Sequence, residues 1–395
     1  MFKSRLSKTK GISQEAVVKK VLLAVVLVWF VLQFMPRVSA QQEDQESKGK
    51  QYTGVPWAYG FPASATPAEI AAALAPRGGR GGGGAPAAGG ARGGGGRGGA
   101  AAAAAPAAPA EDEEAIRHVP GSSQAFNLKQ VGSNTAPADW FPEDHPKMPE
   151  IVAHGKRPAV NACGFCHYPN GKGRPNNAGP AGLPANYILQ QLEDFTTGAR
   201  TSWDKRKRNT TQMIDIAKAL TPEDAKTAAE YFASVKWSPY FKVVEAQMVP
   251  KMTFVGGGGG LVVPTEGAEA GMEPLGMRIL ETPLDAEQTE PLRNPRSGFI
   301  AYVPVGSLKK GEALVLGGGE GKTVACASCH GEGLKGSEKF PALAGRSPGY
   351  LGRQLYDFQH MTRVGPGSLL MRPVVQKLTE EDILNITAYV ASLEP

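Results

Sequence analysis

A five-residue string occurs twice in this chain, as CGFCH from Cys163 to His167 and as CASCH from Cys326 to His330, and the four cysteines in the two strings are all that the chain has. Two cysteines separated by two residues, followed at once by histidine, can form thioethers to the two vinyl groups of a haem while the imidazole ligates the iron. A lone CxxC would equally suit a redox-active dithiol or half of a zinc site. Two strings that use every cysteine and both carry the histidine point instead to two covalent haems. Cys163, Cys166, Cys326 and Cys329 are then the attachment points, and His167 and His330 the iron ligands.

The flanks repeat as well. An offset of 163 relates Cys163 to Cys326, Tyr187 to Tyr350, Leu192 to Leu355, Asp194 to Asp357, Phe195 to Phe358 and Arg200 to Arg363, so that YILQQLEDF and YLGRQLYDF are one element copied. After Arg200 the offset falls to 158, pairing Met213 with Met371, Thr221 with Thr379, Asp224 with Asp382 and Tyr231 with Tyr389. The second copy has lost five residues there. Such self-similarity predicts two domains of one kind, each built round its own haem.

The chain opens with six basic residues and one acid in Met1 to Lys20, then an uncharged run from Val21 to Met35. That run is shorter than the roughly 20 residues a spanning helix prefers, and Val38-Ser39-Ala40 offers small residues for cleavage before Gln41. We read residues 1–40 as an export signal in preference to a retained membrane anchor. The formal charge of +6 belongs to this leader, which holds seven Lys and Arg against one Glu, while the remainder carries 36 basic and 36 acidic residues. No nucleic-acid partner is therefore implied. Contact with a membrane is expected only if the leader is retained.

From Gln41 to Val119 the composition shifts to Ala, Gly, Pro and Arg, as in RGGRGGGG, and predicts a flexible tether. Within it, the aromatic patch of Tyr52, Trp57, Tyr59 and Phe61 reads as a Pro-rich loop, with a docking peptide as the sharper alternative. The first haem domain is placed at 120–237, with its repeat-matching part from Ala136. A short helix is expected at Pro149 to Lys156 and a better one at Tyr187 to Phe195, with Ile188, Leu192 and Phe195 along one face. Thr221-Pro222-Glu223-Asp224 and Thr379-Glu380-Glu381-Asp382 each cap a closing helix. The second haem domain spans 307–395. Between the two, residues 238–306 carry FKVVE, MTFV, LVVP, MRIL and FIAYV among Gly, Pro and acids, which predicts a bridge of short strands and loops. Gly256 to Gly260 lacks the following Gly-Lys-Ser/Thr of a phosphate loop.

The paired CxxCH motifs, each followed by a YxxxQLxDF helix, a Met and a Thr-capped helix, resemble the dihaem class I cytochromes c of the cytochrome c-four type over roughly residues 136–237 and 307–395. The resemblance implies a mainly α fold of two tandem all-helical domains and an electron shuttle of the bacterial periplasm. It makes His167 and His330 the proximal ligands and Met213 and Met371 the distal ones; Met361, which aligns with Gly198, is the competitor in the second copy. It also implies a proline carbonyl that orients each proximal imidazole, a role that Pro341 fits and for which Pro175 is the candidate in the first copy. Tyr187 and Tyr350, which open the copied helix, join these as candidates for haem contact. His118, His145, His154 and His360 have no counterpart in the other copy and are expected on the surface or in loops. The string KRKR at Lys205 to Arg208 reads as a solvated loop, with docking to an acidic redox partner as its alternative.

Three functions follow. Histidine and methionine together saturate an iron and favour its ferrous state, which suits a one-electron carrier between a respiratory donor and a terminal acceptor. A haem subunit of a membrane or periplasmic dehydrogenase or oxidase complex is the alternative. A dihaem peroxidase needs an iron that opens to substrate, and a thiosulfate-oxidising relative would use a cysteine ligand for which no cysteine is spare. Replacing Cys163, Cys166, Cys326 and Cys329 together by Ala is expected to abolish peroxidase staining of the band in denaturing electrophoresis, and intact mass is expected to place the mature N-terminus near Gln41.

Overall fold

Both copies of the repeat are assembled from helices whose ends the sequence marks. The computed structural model describes residues 56–62, 65–66, 68, 70, 112–205, 208–255 and 261–395. The first copy contains α1 Cys163–His167, α2 Ala185–Thr197, α3 Arg208–Ala219 and α4 Pro222–Ser234; the second contains α5 Ser307–Gly317, α6 Ala327–His330, α7 Pro348–Gln359, α8 Arg372–Val375 and α9 Glu380–Ser392. The fold is mainly α, as expected. Thr221 accepts a hydrogen bond from the Asp224 backbone N–H, and Thr379 with Asp382 completes a capping box, each cap stabilising its helix by about 1 kcal/mol. The short helix expected at Pro149 to Lys156 is one turn, Glu150–Ala153. Its counterpart α5 is longer and lies against α9; no capping side chain announces it, because its N-cap is Gly306 in a left-handed conformation.

The stripe expected along α2 is only half right. Ile188 packs on the first domain's core with Ile151, Val152, Tyr231 and Phe232, but the most buried residues of α2 are Gln191, Asp194 and Phe195. The polar pair is buried because it faces the other copy. Arg200 and Arg363, equivalent residues, meet as an antiparallel bridge, with Thr201 N–H donating to Thr362 O and Val364 N–H to Ala199 O, both at 2.7 Å. Arg200 donates to Oε1 of Gln191 at 3.0 Å and of Gln354 at 2.9 Å, while Arg363 donates to Gln354 at 3.1 Å and Gln191 at 2.6 Å. Phe195 and Phe358 stack under their own copy's guanidinium at 4.5 and 4.1 Å. The described residues belong to one compact unit.

The bridge contains β1 Phe241–Glu245, β2 Met248–Pro250, β3 Met252–Val255, β4 Leu261–Pro264, β5 Met272–Pro274, β6 Leu280–Pro283 and β7 Phe299–Val303. β7 is the centre of a mixed sheet, parallel to β1 and antiparallel to β6, while β2 pairs with β5 and β3 with β4. The strand expected from MRIL begins at Leu280, because Arg278 is drawn aside to Gly60 O and the Glu273 carboxylate. Ile279 and Val303 enter the core of the second domain, and Leu292 enters a cluster with Val119, Val131, Trp140 and Phe141. The bridge thus builds part of both domains.

The tether expected across Gln41 to Val119 is corrected at both ends. Pro56–Tyr59 is a 3-10 turn whose Trp57 and Ala58 are 7% and 2% exposed within the second domain's core, and Val119 is itself buried. Trp57 O accepts from Ile279 N–H at 3.0 Å and Ala58 O from Arg353 at 2.6 Å. For Trp57 and Ala58 composition conceals this because their partners Ile279 and Arg353 lie more than 200 positions away. The leader 1–40, Arg77 to Ala110, Gly256 to Gly260, Tyr52 and two residues of the KRKR string lie outside the described residues.

Glu281 on β6 is buried against the start of α7, where it accepts a hydrogen bond from Ser347 Oγ at 2.6 Å. Burial, opposed by the Arg353 guanidinium and that hydroxyl, raises its pKa from the usual 4.5 to about 7. A carboxyl that holds its proton more tightly folded than unfolded stabilises the fold fully below the unfolded value and loses that contribution as pH rises through the folded one. The loss between these values amounts to about 3 kcal/mol at about 1.4 kcal/mol per unit. Denaturant midpoints at about pH 5 and about pH 8 are expected to differ less in Glu281→Gln than in the parent protein.

Candidate haem-binding sites

Cys163, Cys166 and His167 share the single turn α1, and Cys326, as the N-cap of α6, stands in the same relation to Cys329 and His330. In both copies the turn ends in a residue of positive φ, Tyr168 at 61° and Gly331 at 77°. The chain then doubles back, with Gly173 N–H donating to His167 O at 2.9 Å and Gly336 N–H to His330 O at 2.8 Å. This return brings a carbonyl onto each imidazole. His167 Nδ1 lies 2.8 Å from Ala178 O, and His330 Nδ1 lies 2.8 Å from Pro341 O. A carbonyl can only accept, so Nδ1 carries the proton and the Nε2 lone pair remains for a metal. Burial pushes both imidazolium pKa values down, which keeps the rings neutral as ligation requires.

Pro341 therefore holds the position expected of it, but Pro175 does not. Its carbonyl accepts from Arg353 Nη2 of the other copy at 2.6 Å, and Ala178 takes its place. The orienting group is a backbone carbonyl, so no proline is needed. The offset of 163, applied to Pro341, marks Ala178 directly.

The cysteines are unlike a reactive dithiol. Burial pushes the Cys163 thiol up to about 12 and Cys326 up to about 11, whereas redox-active motifs depress the value to hold a thiolate. Among the described residues no cluster of three or more His, Cys, Asp and Glu side chains is placed to hold an ion.

Met371 is partly buried and packs, with Cys326, on the second domain's core. Met213 lies half-buried on α3, whose Ile216 packs on the cluster that Cys163 touches. The two methionines differ in setting, helix against the end of the 3-10 turn Ser368–Met371, because the five-residue deletion falls between them and the copied helix. Met361 is 37% exposed at φ 56°, a left-handed conformation like that of Gly198 at 81°, and it lies one residue beyond the C-cap His360 of α7. Tyr187 and Tyr350 stand at the contact between copies, where the phenol oxygens accept from Arg363 at 3.5 Å and Arg200 at 3.1 Å. Of the other histidines, His118 is exposed, His154 Nδ1 donates to Thr135 O at 3.0 Å, His360 stacks on Tyr356 at 3.9 Å, and His145 binds Asp139 at 3.1 Å with its side chain only 3% exposed.

Among the described residues, the buried donors without a protein acceptor include Nε1 of Trp57 and Trp237 and Nε of Arg117, Arg278, Arg353 and Arg363. Each unmet donor costs about 1–3 kcal/mol. Such N–H groups suit carboxylate acceptors of the kind that haem propionates supply. Together with the neutral imidazoles, these donors fit the group.

Helical domains, each carrying an attachment turn and an oriented imidazole, define the class as a dihaem c-type cytochrome. The family model for cytochrome c matches residues 152–236 and 316–394. Cytochrome c4 of Stutzerimonas stutzeri is 25% identical over 243 residues, 59% of this chain and 85% of that protein. The "Thiosulfate dehydrogenase electron acceptor" of Thiomonas intermedia is 26% identical over 240 residues, 60% and 80% respectively. Cytochrome c-554(548) of Halomonas halodenitrificans is 38% identical over 77 residues, 19% of this chain and 93% of that protein. The chain belongs to the cytochrome c family, is cytochrome c4-like, and is an electron-transfer protein with two covalently bound haem c groups and redox proteins as partners.

Gly173 sits at φ 65°, and a Cβ there would meet Ala178 O at 2.7 Å; Gly336, at φ 81°, would meet Ala342 N at 2.6 Å. Gly173→Ala is expected to push the carbonyl off His167, so that in a spectroscopic acid titration one haem loses its imidazole at higher pH than in the parent protein. Gly336→Ala is expected to do the same to the other haem.

Proposed function

We propose that this is a periplasmic one-electron relay in which His167 and Met213 are the axial pair of the first haem and His330 and Met371 that of the second. The observation that carries the reading is the matched imidazole–carbonyl bond in both copies, each at 2.8 Å and each spanning 11 residues. Both imidazoles are presented in one tautomer and one orientation, which is a ligand's requirement and not a proton shuttle's. Met213 and Met371 each stand eight residues before a capping Thr. A bound haem c supplies one-electron iron chemistry, and a thioether opposite histidine favours the ferrous state. Saturated ligation gives the protein no substrate of its own. The export leader supports the periplasm, with a retained membrane anchor as its alternative. A relative whose name describes it as a dehydrogenase's electron acceptor supports a dehydrogenase as donor. The bridge and the buried Trp57 segment, beyond the parts that resemble the family, favour the second reading of a haem subunit docked in such a complex.

Met213→Ala and Met371→Ala are each expected to lower the potential of one haem and to let it bind carbon monoxide or cyanide, while Met361→Ala does neither. Spectroscopic redox titration with and without added ligand checks this. An unmodified protein that binds carbon monoxide at one haem would defeat the carrier reading.

A further inference from the structure

The bridge treats the two attachment turns differently. Over α1 it lays Arg293, whose Nη2 donates to Phe165 O and whose guanidinium stacks on Phe165 at 4.5 Å and Tyr168 at 5.4 Å. The backbone holds Arg293 at φ 52°, a conformation that side-chain-bearing residues keep where their surroundings impose it. Beside it, Arg174 donates to Tyr168 Oη at 2.8 Å and pairs with Glu290 at 3.1 Å. Two half-buried guanidiniums thus stand next to the first attachment turn, with the Glu290 carboxylate paired to Arg174. Among the described residues nothing similar covers the second copy's turn, where the equivalents of Phe165, Tyr168 and Arg174 are Ser328, Gly331 and Ser337 and where Ala327, Ser328 and Cys329 are exposed.

We propose that Arg293 is a potential-setting residue of the first haem, which biases the electron shared between the two haems towards the first domain. This rests on the relay reading above. Oxidised iron carries one more positive charge than reduced iron, so a fixed cation nearby favours the reduced state. In a buried site that field is weakly screened, whereas the exposed lysines near α6, Lys335 and Lys339, are screened by solvent and salt. The transfer itself reduces one iron and oxidises the other by one electron, with no bond made or broken. Aromatic packing of Phe165 and Tyr168 locates the guanidinium, and Glu290 tempers its charge.

The test is a spectroelectrochemical titration of the holoprotein and of Arg293→Gln, Arg293→Lys and Glu290→Gln. Arg293→Gln is expected to move one of the two waves to lower potential by about tenfold in the equilibrium between the haems, about 59 mV for one electron. Glu290→Gln should move the same wave upwards, and Arg293→Lys, which keeps the charge, should leave it nearly in place. The proposal is overturned if Arg293→Gln shifts neither wave or both alike, or if Arg293→Lys shifts the wave as far as Arg293→Gln. Should Arg293→Gln fail to fold, the upward shift in Glu290→Gln decides alone, and its absence overturns the proposal. Binding of carbon monoxide by the unmodified protein would defeat the relay reading while leaving the wave shifts readable.

Discussion

Two guanidiniums cross the internal two-fold of this molecule, and the placement of both haem domains depends on how that contact is satisfied. Arg200 and Arg363 are buried side by side, an arrangement that repulsion and desolvation oppose. What offsets the cost is exchange: each arginine binds the glutamine carbonyl of its own copy and of the other, and each reaches the opposite tyrosine. A single polar network satisfied only when both copies are present defines their spacing more sharply than an apolar face could. Fixed spacing is what a relay between two irons requires.

The same network explains why the helices carry YxxxQLxDF in both copies. The apolar positions build each domain's core, while Tyr, Gln and Asp serve the contact. Asp357 accepts from Ser202 and from the Trp203 backbone at 2.8 Å, and Asp194 accepts from Gln190 at 3.0 Å.

Upon this near-symmetric pair the bridge imposes asymmetry. It threads Ile279 and Val303 into one domain, lays Leu292 and Arg293 on the other, and pins the Trp57 segment beneath Arg353. Arg346 extends the clamp by donating to Gly179 O and Ala181 O, next to the carbonyl that orients His167. Equivalent haem sites in a repeated sequence are therefore held in inequivalent surroundings.

The sequence by itself determined the chemistry of attachment, the existence of two copies, the caps of α4 and α9 and the mainly helical class. Those depend on residue identity at short spacing or on a fixed offset, both visible in one dimension. Tertiary structure alone decided that Ala178 orients His167, since a backbone carbonyl has no side-chain signature. It also decided that Gln191 is buried, because a buried polar group is legible only beside its partner, and its partner Arg363 is 172 positions distant. The burial of Trp57 in a region of tether-like composition, and the seating of Arg293 on the first attachment turn, were hidden for the same reason: long-range contacts select a few residues from segments whose average composition says nothing of them.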